Sequence, residues 1–272
     1  MRKSKFTESQ IMAILKQNEA GILVPELCRE HGISSASFYK WRSKYGRMAI
    51  QQISNINEKE NILFAQWEKA RDGFVYDGVA NEQEYLSSER KILYLLKEVN
   101  DLGGGGWDLR EYMREGARPQ TWNNITRWTE GIRSNAHVLI WKDFIKVSKE
   151  RRTDALNSIA AINLKKSPGS HTTVSAELHR IATEDKYFLN QQFKLYNADI
   201  IICCGSEVTY LAETLIDDLA GLHWKSTSRG IEYAEYVEGK YIIAYSHPEA
   251  RVADNLLFYA LMDAVREIDN FC

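Results

Sequence analysis

Residues 91–106 read Lys-Ile-Leu-Tyr-Leu-Leu-Lys-Glu-Val-Asn-Asp-Leu-Gly-Gly-Gly-Gly. Ile92 to Leu96 is an unbroken apolar run with branched and aromatic members, the pattern of a strand buried on both faces. It ends at Glu98, Asn100 and Asp101, and then in four residues without side chains. In open α/β sheets ligands bind just beyond the carboxyl ends of the strands. A carboxylate and an amide placed there, beside backbone that a substrate can approach closely, mark a candidate site. A capped strand end with a loose loop accounts for the same residues, and this stretch alone does not choose between the two.

The pattern repeats outward along the chain. Ser158 to Leu164 reads as a second buried strand ending in Asn163, followed by Lys166 and Pro168. Ala198 to Gly205 is a third, with Gly205-Ser206 opening a helix, and Tyr241 to Tyr245 is a fourth that stops at Ser246-His247-Pro248. Amphipathic helices are expected between them, over 107–115, from Thr121, over 178–196, over 207–219 and over 253–270. Strands alternating with helices predict a parallel sheet covered on both faces, a three-layer α/β domain. Three polar clusters then fall at the carboxyl ends of three strands: Glu98/Asn100/Asp101, Asn163/Lys166 and His247. Trp107, Trp122 and Tyr245 are aromatic rings near those ends, suited to stacking or to the core.

Composition narrows the classes. The chain has 272 residues, 44% hydrophobic and 26% charged, enough for one large domain and a small one. It has no apolar run of the roughly 20 residues that span a bilayer and no signal-peptide pattern, so a cytoplasmic protein without a membrane partner is expected. The four cysteines show no CxxC spacing, which argues against a metal site or a disulfide framework. The four glycines lack the Gly-Lys-Ser/Thr ending of a phosphate-binding loop, which disfavours nucleotide hydrolysis. No cofactor is called for. Charge is uneven: residues 1–48 carry a net +5 and the remainder −7, so nucleic acid is expected first at the amino end.

That amino end, 1–48, reads as a helix-turn-helix. Thr7 and Gln10 form a capping box ahead of Ile11, Ile14 and Leu15. Pro25 suits the first turn of a second helix, Gly32 the turn after it, and Ser34 or Ser35 can cap a third helix through Tyr45. Phe38, Trp41 and Tyr45 face inward on it. Ser35, Ser37, Lys40, Arg42 and Lys44 are left outward as groove and phosphate contacts for double-stranded DNA. The runs Arg2-Lys-Ser-Lys-Phe-Thr-Glu-Ser-Gln-Ile, Leu27-Cys-Arg-Glu-His-Gly-Ile-Ser and Phe38-Tyr-Lys-Trp-Arg resemble the N-terminal domain of insertion-sequence transposases of the IS-three type. Those proteins continue into a leucine zipper, whereas Ile50, Ile53 and Ile56 give one short apolar stripe. Residues 49–90 read as a helical connector in which Trp67 and Phe74 are packing residues.

Residues 91–272 resemble the uracil-DNA glycosylase superfamily. The matching positions are Lys97-Glu98-Val99-Asn100-Asp101, Asn163-Leu-Lys-Lys166-Ser-Pro168 and His247-Pro248-Glu249-Ala250-Arg251. The resemblance implies that a residue of the first motif positions the attacking water, Glu98 first, with Asn100 and Asp101 as the other candidates. It implies that Asn163 reads the base edge with Trp107 and Lys166 nearby, and that His247 stabilises the departing base. Arg251 is then a wedge or a phosphate contact. Such an enzyme flips the base out of the duplex and needs no metal. Here Lys97 stands for the usual glycine and Asn100 for the usual proline. The cysteines of the iron–sulfur branches have no counterpart. Joined to a transposase-like module, the divergent motif resembles anti-phage glycosylases that remove hypermodified pyrimidines, such as glucosylated hydroxymethylcytosine, and leave an abasic site. A uracil-repair enzyme and a non-catalytic DNA-binding regulator are the other expectations.

Overall fold

The structure is a computed structural model, and it describes residues 6, 11, 14–15, 17–18, 22–42, 55–134, 136–170 and 173–270. The chain divides into two compact units, 1–59 and 60–272. The segment expected as a connector therefore contributes most of its length to the second unit.

In the first unit the described residues between 11 and 18 are helical, a helix spans Val24–His31, and residues 35–42 are helical. Pro25 sits in the first turn of Val24–His31, where its missing N–H costs nothing. Gly32 ends that helix in the left-handed region (φ 62°) and donates to the Cys28 carbonyl. Of the two serines proposed as a cap, Ser34 serves: its Oγ accepts from the Ser37 N–H at 3.1 Å. Ile11, Ile14, Leu15, Leu27 and Phe38 form the core of this unit, with Trp41 edge-on to Phe6. The capping box at Thr7 and Gln10, the end of the third helix at Tyr45, and Ile50 and Ile53 lie outside the described residues.

The second unit is built on a seven-stranded sheet: β1 (Gly78–Val79), β2 (Ile92–Leu96), β3 (Ala160–Asn163), β4 (Ile200–Cys204), β5 (Lys225–Ser226), β6 (Glu232–Val237) and β7 (Lys240–Tyr245), in the order β1-β3-β2-β4-β7-β6-β5. The central strands β3-β2-β4-β7 are mutually parallel, and their register sets Leu96 beside Asn163 and Cys204 beside Tyr245. The carboxyl ends of β2, β3 and β7 therefore open on one edge of the sheet.

Two expectations need correction. The sheet is mixed, because β1, β6 and β5 add antiparallel pairs at its flanks. β6 and β7 are joined by the two residues Glu238 and Gly239, a connection that only antiparallel strands permit. Strand β6 is hard to read because Glu232, Glu235 and Val237 are exposed along it, so it has no continuous apolar run. The helix expected over 178–196 is two helices, Ser175–Glu184 and Lys186–Phe193, broken at Asp185. That carboxylate is buried and paired with the Arg71 guanidinium at 2.7 Å, an anchor 114 residues away in sequence.

Helices cover both faces. Ile92, Tyr94 and Leu96 pack with Ile125 and Trp128 of helix Pro119–Ile132 and with Phe258 and Leu261 of helix Asp254–Asn270. Side chains alternate along a strand, so Leu93 and Leu95 face the other way. There helix Ser206–Leu215 packs against β2, β4 and β7. Among the described residues no helix is long and apolar enough to cross a membrane.

Candidate functional site

At the carboxyl ends of β2, β3 and β7 lies a cleft of about 480 Å³. Its walls include Glu98, Asn100, Asp101 and Trp107 from the segment after β2, Asn163 from β3, and His247 from the turn after β7. The three polar clusters expected from the sequence are thus brought to one place, and Trp122 lines the same cleft.

The segment after β2 is organised by its own carboxylate. Asp101 Oδ1 accepts from the Gly103 N–H at 2.7 Å; its Oδ2 accepts from the Gly105 N–H at 2.9 Å and from Trp107 Nε1 at 2.8 Å. The Trp107 indole, then the Gly103 and Gly105 amides, hold the Asp101 carboxyl below its ordinary value. Asp101 therefore acts as the pin of the glycine-rich loop, and it fixes the Trp107 ring in the cleft wall. Gly105 has φ 78°, and a Cβ there would meet the Gly73 carbonyl oxygen at 2.0 Å, so this part of the tract requires glycine. Asn100 is exposed on the cleft wall.

The Glu98 side chain is 5% exposed and pairs with the buried Lys165 ammonium, which also donates to the Pro168 carbonyl at 3.2 Å. Gly169 lies against the carboxylate: a Cβ there would meet Glu98 Oε1 at 2.1 Å. The segments after β2 and β3 continue side by side, with Leu164 and Lys165 donating to Leu96 and Lys97, and Gly169 donating to Val99, all at 2.9 Å.

Asn163 is held from behind. Asp77 Oδ2 accepts from its backbone N–H at 2.7 Å and from its Nδ2 at 3.3 Å. Lys166, expected at the base, is instead fully buried away from the cleft, with its Nζ 2.6 Å from Asp77 Oδ1 and over the Trp67 ring. The physical reason is register: Asn163 ends β3 facing the cleft, and three residues later the chain has turned its lysine inward to a carboxylate that satisfies it there.

His247 is half-buried. Its Nδ1 accepts from the Glu249 N–H at 3.1 Å, so the ring proton belongs on Nε2. Burial pushes the His247 imidazole down from its ordinary 6.5; Glu249 pulls it up and Lys97 adds to the fall. The ring is neutral at neutral pH, a donor through Nε2. Lys97, in the position of the usual glycine, pairs with Glu207 at 2.5 Å. Arg251 is exposed beyond the His-Pro turn and is not among the side chains lining the cleft. Tyr245 is core, with its hydroxyl bonded to the Leu257 carbonyl.

Sequence reasoning missed Asp77, Lys165, Arg118, Tyr112 and Thr121 as parts of this site. Asp77 lies in the segment taken as a connector, and nothing local signals its partners at positions 163, 166 and 192. Lys165 and Lys166 are adjacent, and only the fold decides which meets Glu98 and which meets Asp77. Among the described residues no group of three His, Cys, Asp or Glu is arranged to hold a metal ion.

In the first unit Ser35, Lys40 and Arg42 are exposed on the helical residues 35–42. Ser37 is half-buried, with its Oγ 2.9 Å from Ser34 Oγ. Lys44 lies outside the described residues.

Two helices joined at a left-handed glycine, the second with its outer face basic and polar, form a helix-turn-helix. A family model described as Transposase matches residues 1–92. An uncharacterized 10 kDa protein of insertion element ISR1 from Rhizobium sp is 44% identical over 61 residues, 22% of this chain and 69% of that protein. A 10.0 kDa protein of insertion element IS407 from Burkholderia multivorans is 50% identical over 58 residues, 21% of this chain and 67% of its own length. The low calcium response locus protein S of Yersinia pestis is 48% identical over 60 residues, 22% of this chain and 68% of that protein. By this segment the chain belongs to the transposase helix-turn-helix family.

Proposed function

We propose that the protein is a monofunctional DNA glycosylase: the helix-turn-helix binds double-stranded DNA and the α/β unit, of uracil-DNA-glycosylase type, excises a flipped pyrimidine. The observation that carries this reading is the cleft itself. It joins an amide held for base reading (Asn163), a carboxylate (Glu98) and a neutral imidazole with its proton on Nε2 (His247), at the edge of the sheet where such folds bind ligands.

Each residue has a role that its surroundings suit. A base extruded into the cleft presents its edge to Asn163 and its ring to Trp107 or Trp122. As the bond from the sugar carbon C1′ to the base nitrogen breaks, its electron pair leaves with the base. His247 Nε2–H donates to the anion that forms, and the adjacent Lys97 ammonium adds favourable charge. Glu98 or Asn100 orients a water whose oxygen bonds to C1′; its proton passes to solvent, leaving an abasic site. The cleft is larger than a bare pyrimidine needs, and this favours a base carrying an extra substituent, such as glucosylated hydroxymethylcytosine of phage DNA, with a role in antiviral defence. Action inside the cell on DNA accords with this role.

One observation favours a second reading, a DNA-binding regulator whose α/β unit binds a base without cleaving it. Glu98 is engaged by Lys165. Incubation of the purified protein with uracil-containing, unmodified and glucosylated-hydroxymethylcytosine DNA, scored for abasic sites, separates the readings. Abasic sites on the glucosylated DNA alone support the defence enzyme, and sites on uracil DNA support repair. No abasic site on any of the three, with DNA binding intact, replaces the enzyme by the regulator.

A further inference from the structure

Behind Asn163 lies a polar cluster sealed from solvent. Asp77 is fully buried and accepts four N–H bonds: from Lys166 Nζ at 2.6 Å and Gln192 Nε2 at 2.8 Å on Oδ1, and from the Asn163 backbone and Nδ2 on Oδ2. Gln192 Nε2 also donates to Tyr196 Oη at 2.8 Å, and Tyr196 donates to Glu60 Oε1 at 2.7 Å. All four groups on Asp77 can only donate, so the carboxylate is an acceptor at every lone pair it uses.

This bears on how Asn163 reads a base. A carboxamide is nearly symmetric in shape, and a half-turn about its last bond exchanges donor and acceptor. A free asparagine can therefore match two opposite patterns. A keto pyrimidine such as uracil offers an acceptor at O4 and a donor at N3. An amino pyrimidine such as cytosine offers a donor at N4 and an acceptor at N3. At Asn163 the half-turn would place Oδ1 against the Asp77 carboxylate, two acceptors facing each other in a buried site, in place of an N–H···O bond.

We infer that Asp77 is a positioning residue that locks the polarity of the Asn163 carboxamide and so makes the cleft select between amino and keto pyrimidines. The inference rests on the glycosylase reading. It adds to it a determinant of substrate class that touches neither substrate nor water. The lock is rigid because Asp77 is itself held on its other oxygen by Lys166 and Gln192, and Lys166 is in turn covered by the Trp67 ring at 4.9 Å.

The test uses the full-length protein and matched duplexes carrying cytosine or uracil, and 5-hydroxymethylcytosine or 5-hydroxymethyluracil with and without glucose on the hydroxymethyl group. The quantity read is the ratio of kcat/KM between the amino and keto members of a pair. The wild-type protein is expected to prefer one member by about ten- to a hundred-fold, the discrimination of one well-placed bidentate contact. Asp77→Asn, which offers an amide that can pair either way round, is expected to reduce that ratio by about ten-fold or more. The double variant Asp77→Asn/Lys166→Met removes the uncompensated ammonium and keeps the test open if the single variant does not fold. Two results overturn the inference: a wild-type ratio within about threefold, or variants in which both members fall equally. The first needs no variant at all. Failure of the glycosylase reading looks different, since no duplex then yields an abasic site, and the inference falls with it.

Discussion

The chain leaves β2 and β3 side by side, yet the two exits are built in opposite ways. After β2 the loop is open to solvent and pinned from within: Asp101 gathers Gly103, Gly105 and Trp107, all within six residues. After β3 the chain is buried and pinned from afar. Asn163, Lys165 and Lys166 take their partners from Asp77 and Glu98, 67 to 89 residues away. The first design leaves side chains such as Asn100 facing the cleft. The second fixes one amide and hides its supports. A reading head and an open wall have different requirements, and the difference teaches that a single cleft can join a locally coded half to a non-locally coded one.

The largest effect expected from breaking this contrast is on stability at the β3 side. Asp77→Ala leaves the Lys166 ammonium buried without a partner, which should cost about 3–5 kcal/mol by denaturant unfolding. A loss under about 1 kcal/mol would mean that water or another group reaches Lys166, and the two exits would then be alike.

Next in size is the effect on catalysis of the third exit, after β7. His247→Gln should lower kcat by about 10²–10³ with DNA affinity retained, the loss seen when one donor to a developing anion is removed. The pH dependence follows from the ring's depressed proton affinity. In the unfolded chain His247 takes up a proton through its ordinary 6.5, whereas in the folded protein it does so only at lower pH. Activity that needs the neutral ring should hold through pH 6.5 on the way down, and the stability contributed by this group should fall as pH drops below 6.5. A His247-dependent loss of activity already above pH 6.5 would contradict the assignment.

Gly169→Ala probes the seam between the two exits. The added Cβ meets Glu98 Oε1, so the carboxylate must leave Lys165 or the backbone must shift, at a cost of about 1–3 kcal/mol. Activity should fall with it, and compensation by Glu98→Asp, one methylene shorter, would locate the clash at that carboxylate.

The smallest global effect belongs to the locally pinned loop. Asp101→Asn should leave the unfolding transition nearly in place while amide exchange at Gly103 and Gly105 speeds up. In the parent, acidification should release Trp107 only below pH 3.8, since the folded carboxyl keeps its charge to lower pH than in the unfolded chain. A fluorescence change from Trp107 at or above that pH would show that the loop is held by something other than Asp101.

What is legible in the sequence follows the same division. β2, β3, β4 and β7 announce themselves as apolar runs, because a strand buried on both faces has nothing to hide. The residues at their ends, Glu98, Asn163 and His247, emerge as a set once the order of strands and helices is read. β6 does not, since a strand with Glu232 and Glu235 exposed reads as polar. The break at Asp185 does not either, since its reason is Arg71. Lys166 differs in role from what its place in the sequence suggests. Its nearness to Asn163 reads as a base contact, and in the fold it supports Asn163 from behind, through Asp77.

The order of amino acids by itself determined the helix-turn-helix and its family, the parallel centre of the sheet, and which strand ends carry polar clusters. Those features are written in short-range periodicity and in motifs of a few residues. Only the tertiary structure decided that Asp77 holds Asn163, which of two adjacent lysines faces Glu98, and that His247 is neutral with its proton on Nε2. A buried polar group must find its partner wherever the fold supplies one, and burial, which sets both partner and proton affinity, is a property of the packed chain.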